Sequence, residues 1–97
     1  MNLLARPAFE FQLPGPALSA HARNAARLAA WKARVGDAAR AAWPAGRPPL
    51  QGDIDVLISE FSERASRDRD NMAKPICDAM QGIAYDNDRQ IKHLHVE

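Results

Sequence analysis

Residues 68–83 read Asp68-Arg69-Asp70-Asn71-Met72-Ala73-Lys74-Pro75-Ile76-Cys77-Asp78-Ala79-Met80-Gln81-Gly82-Ile83. Two helical patterns run through them. Met72, Ile76, Met80 and Ile83 recur at helical spacing with Ala73 and Ala79 at the edges, while Asp70, Lys74 and Asp78 recur four apart on another face. Residues that return every three to four positions share one side of a helix, so an amphipathic helix is expected over about 71–82. Gly82 suits its C-terminus, because glycine takes the left-handed conformation without a steric penalty. Pro75 belongs in or near the first turn; deeper in the helix it would withhold a backbone hydrogen bond. Asp53 to Phe61 carries Ile54, Val56, Ile58 and Phe61, with Leu57 between, and Gln90 to Val96 carries Ile91, Leu94 and Val96. Both read as strands, so the short helix stands between two strands. The polar, basic stretch Ser62 to Arg69 reads as a loop and Asp86 to Arg89 as a turn.

Upstream, the Pro/Gly-rich segment Pro44 to Gly52 must be a loop. Ser19 to Ala42 is alanine-rich with one glycine, Gly36, and no proline; it predicts a long helix with Ser19 as its N-cap. Leu28, Trp31, Val35, Ala39 and Ala42 fall on its core face, but the same face carries Asn24 and His21 one and two turns earlier, so the apolar stripe begins at Leu28. Ala8 to Leu13 alternates and reads as a first strand, stopped by Pro14-Gly15-Pro16. The element order β-α-β-α-β predicts an α+β fold, a small mixed sheet with one long and one short helix packed on it.

Ninety-seven residues make one small domain, and a core of that size often gains stability by dimerising. Hydrophobic residues make up 46% and charged residues 26%, an ordinary balance for a globular chain. No apolar run is long enough to span a bilayer, and Met1 to Pro16 lacks the basic start and apolar run of a signal peptide. Cys77 is the single cysteine, so no internal disulfide can form. It sits beside the short helix's apolar edge and reads as a core residue. These features point to the cytoplasm, with no membrane association and no nucleotide cofactor.

The net charge of +1 conceals an asymmetry. Residues 1–50 hold seven Lys/Arg against two Asp/Glu, a net +5, whereas residues 51–97 hold six against ten, a net −4. A nuclease needs both kinds of surface, cations for phosphates and carboxylates for a metal; chance solvated charge gives the same totals. The densest chemistry lies between Arg67 and Gln90. Asp68 and Asp70 flank Arg69, Lys74 and Asp78 follow at one-turn intervals, and Asp86-Asn87-Asp88 opens the next strand. If helix and strand pack side by side, Asp88 can approach Asp68 and Asp70. Three converging carboxylates would repel one another without a cation, and Mg²⁺, which prefers oxygen ligands, is the natural one. Spacing alone leaves the plainer reading open: Asp70 as an N-cap and Lys74–Asp78 as a surface pair contributing about 0.3–0.5 kcal/mol. Asp86, Asp88, Gln90 and Glu97 also occupy positions of a calcium-binding EF-hand loop, but Ile91 stands where its glycine belongs and no helix can follow Glu97.

As a string, Asp68-Arg69-Asp70-Asn71-x-x-Lys74-Pro75-x-x-Asp78-Ala79-Met80, followed by Gly82 and Asn87-Asp88-Arg89-Gln90-Ile91, resembles the motif of the RusA-like Holliday-junction resolvases. The strong match covers about residues 67–92. Leu13-Pro14-Gly15-Pro16 and the arginine-rich helix also resemble that family's N-terminal half. The resemblance implies that Asp68, Asp70 and Asp88 ligate the metal and that Lys74 is the catalytic lysine, with Asn71 and Asp78 bracing the site. It implies a homodimeric endodeoxyribonuclease that uses Mg²⁺, with Mn²⁺ as substitute, to resolve four-way junctions in branched DNA by paired symmetric nicks. The setting would be recombination or repair, and such families are common in prophages. Two departures stand out. Asn87-Asp88 replaces a pair of aspartates; either Asp86 supplies the second charge or none is needed. Family members also continue past the third strand, so residues 1–97 are expected to form a single domain short at its C-terminus. The alternative that follows is a catalytically impaired junction-binding or regulatory dimer of the same fold.

Arg67 and Arg69 flank the carboxylates where a phosphate would pass and are favoured as DNA contacts, the alternative for Arg69 being that it only tempers repulsion between Asp68 and Asp70. Arg23, Arg27 and Arg34, spaced along one helix stripe, either track a phosphate backbone or are ordinary solvated residues. His93 and His95 share a strand face, but with no further Cys or His nearby they read as exposed strand residues rather than a zinc pair. Trp31 and Trp43 read as core or dimer contacts.

Overall fold

The computed structural model describes residues 9–14, 17–20, 23–59 and 69–96, with Arg69 and Asp70 described by their backbone alone. Its elements are helix α1 (Ala25–Ala42), strand β1 (Ile54–Ile58), helix α2 (Arg69–Met80), a single 3₁₀ turn (Asp88–Gln90) and strand β2 (Ile91–Val96). The class is the expected α+β. Phe61, the stretch 62–68 with Arg67 and Asp68, and His21 lie outside the described residues.

The long helix begins later than Ser19. Asn24, in an extended conformation, accepts the Arg27 amide at 3.0 Å through Oδ1, which satisfies one of the amides that a helix start leaves unbonded. The polar residue that interrupts the apolar stripe is thus the cap itself. Trp31, Val35, Gly36 and Ala39 are buried, Leu28 is half-buried, and Ala42, expected inward, is exposed.

Helices α1 and α2 approach closely. The Ala20 amide meets the Asn71 carbonyl at 2.8 Å, a methyl at Gly36 would stand 3.6 Å from the Ala79 carbonyl oxygen, and Ala39 packs with Met80, Ile83, Ala84 and Tyr85. Small residues make this possible: Gly36 and Ala39 are buried at the contact. The inward edge of α2 accordingly runs through Ala73, Cys77 and Met80, with Met72 and Ile76 half-buried beside it. Cys77 is a free, buried core residue, as expected.

Because α2 starts at Arg69, Pro75 falls in its second turn, not its first, and Asp70 lies within the helix. Proline has no N–H to give the carbonyl four residues back, which here belongs to Asn71. The Ala20 amide takes that carbonyl, so the hydrogen bond withheld by Pro75 is replaced by one to the segment preceding α1. At the other end, the Tyr85 hydroxyl donates to the Cys77 carbonyl at 2.6 Å, and the Ile83 and Ala84 amides donate to Met80. Gly82 adopts the left-handed φ of 83° that reverses the chain.

Strands β1 and β2 pair in parallel, with Ile54 opposite Ile91, Val56 opposite Leu94 and Ile58 opposite Val96. The register slips between Ile54 and Asp55, where β2 carries one extra residue, Lys92. That bulge explains the odd spacing of Ile91 and Leu94. In a regular strand residues three apart face opposite sides, but an extra residue restores them to partners of the same β1 face. Ile54, Val56 and Ile91 pack on the core, while Leu94 (44% exposed) and, on the other face, Leu57 (43%) remain open.

The expected first strand is corrected. Residues 9–14 belong to no ladder, although their burial alternates and Phe9 and Phe11 lie against the core. Phe9 meets the edge of Trp43 with ring centroids 4.6 Å apart. Alternation reports that one side is covered; a strand also needs a hydrogen-bonding edge, and among the described residues the sheet consists of β1 and β2. No helix among the described residues is long and apolar enough to cross a membrane.

Candidate functional site

The carboxylates expected to act together come from α2 and from the turn that precedes β2. Of the three proposed metal ligands, Asp68 and the side chain of Asp70 lie outside the described residues, as do Arg67 and the side chain of Arg69. The backbone places Asp70 in the first turn of α2, one turn before Lys74. Among the described residues no three His, Cys, Asp or Glu side chains cluster as a metal group would require.

Asp88 opens the 3₁₀ turn, and its amide is held by Gln81 Oε1 at 3.2 Å, which ties the turn to the C-terminal end of α2. Its side chain is exposed. Burial, first of all, pushes the Tyr85 hydroxyl above the ordinary tyrosine range; the contact with Cys77 and the carboxylates of Asp88 and Asp78 add to the rise. Burial likewise raises the Cys77 thiol, the contact with Tyr85 opposes it, and Asp78 and Asp88 reinforce it. Asp78 and Asp88 therefore bear on the same two buried groups, one from α2 and one from the turn.

The described acids differ in how far they are committed. Asp78 is half-buried, and its Oδ2 lies 3.8 Å from the Lys74 ammonium and 3.9 Å from that of Lys32. Asp86 accepts Gln51 Nε2 at 3.0 Å. The Asp88 carboxylate is taken up by no hydrogen bond or ion pair among the described residues. Hard oxygen donors with free lone pairs suit Mg²⁺, and Asp88 is of that kind.

The turn bearing Asp88 is built by Asn87 and Gln90. Asn87 Oδ1 accepts the Arg89 amide at 2.8 Å as the N-cap. Gln90 Oε1 accepts the amides of Asp86 and Asn87 at 2.9 and 3.1 Å, while its Nε2 donates to the carbonyls of Leu50 and Gly52 at 2.8 and 2.9 Å. One side chain thus locks the turn at 86–90 onto the loop before β1. Its place in the motif was the signal available in the sequence, but motif position alone assigned it no role. Lys32 went unnoticed because it lies off the arginine stripe.

The remaining expected contacts are dispersed. Arg23 and Arg27 are exposed at the start of α1. Arg34 donates from Nη2 to the Pro14 carbonyl at 2.8 Å and stacks 5.6 Å over the Trp31 ring, fastening the N-terminal segment to α1. His93 and His95 are exposed strand residues, and His93 Nδ1 pairs across the sheet with Asp55 Oδ1 at 2.9 Å. Trp31 is a core residue; Trp43 is half-buried between Phe9 and Arg47.

Compared with known proteins, the chain matches the family described as endodeoxyribonuclease RusA over residues 15–97. Nothing among the curated proteins or the solved structures matches it. The family match takes in α1, β1, α2, the 3₁₀ turn and β2, and by it the chain belongs to the RusA family of endodeoxyribonucleases.

Proposed function

We propose that this protein is a Mg²⁺-dependent, structure-selective endonuclease that resolves four-way DNA junctions as a homodimer through paired symmetric nicks. Its family is one of junction-resolving endodeoxyribonucleases, which makes DNA phosphodiester hydrolysis its activity class. The finer reading assigns Asp68, Asp70 and Asp88 to the metal, with Lys74 assisting.

The observation that carries this reading is the exposed carboxylate of Asp88, engaged by no other described residue, on a turn that Gln81 and Gln90 anchor to α2 and to the loop before β1. An acid that its described neighbours leave open, on an anchored support, is what ligand binding needs, whereas Asp78 and Asp86 are engaged with neighbours. A divalent cation, when bound, would make its water more acidic and offset charge on the attacked phosphate. Lys74, one turn beyond Asp70, would present its ammonium to a phosphate oxygen. Asp78 would keep that ammonium in place, and Asn71, at the Pro75-freed carbonyl, would fix the first turn of α2. Arg67 and Arg69 would meet the DNA backbone beside the scissile bond, and Arg23 and Arg27 would extend that contact along α1. A two-fold dimer would match the near two-fold symmetry of a four-way junction.

The test is nicking of a labelled four-way junction in Mg²⁺ by the wild type and by Asp70→Asn. Symmetrical nicks from the wild type that disappear in the variant support the activity and the metal role together. A wild type that binds the junction and cuts it in neither Mg²⁺ nor Mn²⁺ would be a junction-binding dimer instead.

A further inference from the structure

We propose that Lys32, on α1, is a phosphate-binding residue of the site and forms with Lys74 a two-lysine clamp for one backbone phosphate of the DNA. The inference rests on the endonuclease reading and extends it to a residue on a different element.

Lys32 and Lys74 both point at the same oxygen, Asp78 Oδ2, at 3.9 and 3.8 Å. Their ammonium groups can therefore be no farther apart than those two distances laid end to end, a gap that one phosphate with two free oxygens can bridge. The exposures are graded. Lys74 is 64% exposed, Lys32 41% and Asp78 25%, so the acid sits inward and the two cations stand outside it. Within this described trio one carboxylate faces two ammonium groups, a net charge of +1. A phosphodiester carries the single negative charge that would balance it.

The distances argue against a pair built for its own stability. Optimised charge-assisted contacts are about 2.7–2.9 Å long, and exposed lysine–carboxylate pairs contribute about 0–1 kcal/mol. Both contacts here are longer than that, so turning either ammonium toward an incoming anion forfeits little. Asp78 instead keeps two mutually repelling cations side by side in the absence of DNA. The close approach of α1 and α2 at Gly36, one turn beyond Lys32, makes this possible, because it brings a lysine of one helix to an acid of the other.

The experiment compares the full chain as wild type, Lys32→Gln, Lys32→Arg and Lys92→Gln. Lys92 is an exposed lysine on β2 near Asp53 and controls for the loss of a charge away from the site. Binding of a labelled four-way junction is measured in EDTA over a salt series, and cleavage is measured in Mg²⁺. Lys32→Gln is expected to weaken binding about tenfold at low salt and to reduce the slope of log affinity against log salt by about one. Lys32→Arg should retain the slope, and Lys92→Gln should leave both readouts near wild type. The thermal midpoint of Lys32→Gln should stay with the wild type, which a purely structural role would not allow alongside a changed salt slope. A Lys32→Gln protein that binds and cuts like Lys92→Gln, next to an active wild type, overturns the clamp alone. A wild type that neither prefers the junction nor cuts it overturns the clamp and the endonuclease reading together.

Discussion

Replacing Gly36 by alanine is expected to stabilise the protein by about 1 kcal/mol. Gly36 lies in the interior of α1, and the glycines with positive φ among the described residues are Gly46, Gly52 and Gly82, so an alanine can adopt its backbone conformation. Glycine in a helix interior costs about 0.8–1.0 kcal/mol relative to alanine, and a buried methyl adds about 0.8 kcal/mol by leaving water. The new methyl would stand 3.6 Å from the Ala79 carbonyl oxygen and 3.9 Å from Arg40 Nη1 and from Ile83 Cδ1, all ordinary van der Waals contacts. Part of the gain is lost because the methyl crowds a carbonyl in the last turn of α2, where helix carbonyls lack intrahelical partners. The net of about 1 kcal/mol corresponds to a midpoint raised by about 4–8 °C for a domain of this size. Thermal unfolding followed by circular dichroism, checked by urea titration, reads it directly. Gly36→Val, whose branches exceed the space available, should lower the midpoint. A lower midpoint for Gly36→Ala would refute the reasoning, because it would mean that α1 and α2 leave no room for one carbon.

Four further outcomes follow from the packing. Tyr85→Phe removes the donor to the buried Cys77 carbonyl and should cost about 1–3 kcal/mol, read as a lower urea midpoint. Cys77 and Tyr85 keep their protons when folded at pH values where the unfolded chain releases them. Stability should therefore fall as pH rises above about 9, the ordinary thiol value, and more steeply above about 10, the ordinary tyrosine value. Tyr85→Phe should flatten the upper part of that decline, and an unchanged decline would show that other groups cause it. Gln90→Ala cuts four bonds, two inside the turn at 86–90 and two from it to the loop before β1; given the exposure of this turn it should cost about 2 kcal/mol and reduce junction cleavage, measured by unfolding and nicking. Pro75→Ala restores an amide donor to Asn71, so hydrogen exchange at the Ala20 amide should speed up, whereas unchanged exchange would mean that the carbonyl serves both donors.

The helices and both strands of the described sheet were legible because each carries apolar residues at a recognisable spacing, in α1 from Leu28 onward. The boundaries were less so. Ser19 and Asn24 are both good caps, and which one wins depends on where tertiary contacts begin; the core face starts at Leu28, which favours the later cap. The alternation of Phe9, Phe11 and Leu13 reported burial correctly and pairing incorrectly, since a period of two contains nothing about a partner edge. Ile91 and Leu94 fit one strand face through a bulge, and bulges leave no mark in a hydrophobic pattern. Tyr85, buried and bonded to Cys77, was missed because it belongs to no periodic element. At the site, the spacing of Lys74 and Asp78 along α2 gave their pairing, but the partnership of Lys32 with Asp78 joins two helices and is set by their packing. Gln90 shows the same limit: its partners at 50 and 52 are distant in sequence, so no local pattern points to them.

The parallel pairing of β1 with β2 bears on when the molecule can become whole. Ile54 meets Ile91 and Ile58 meets Val96, and no hairpin can start such a ladder, since the chain must first travel through α2 and return. The entropy of closing that loop is spent before any strand contact repays it, which places the sheet late in folding. On the ribosome, α1 can coil as soon as it emerges. The sheet, with α2 against it and Asp88 at its entrance, has to wait until the synthesised chain has passed Val96. A nascent protein therefore exposes the basic helix to nucleic acid before it possesses an assembled acidic site.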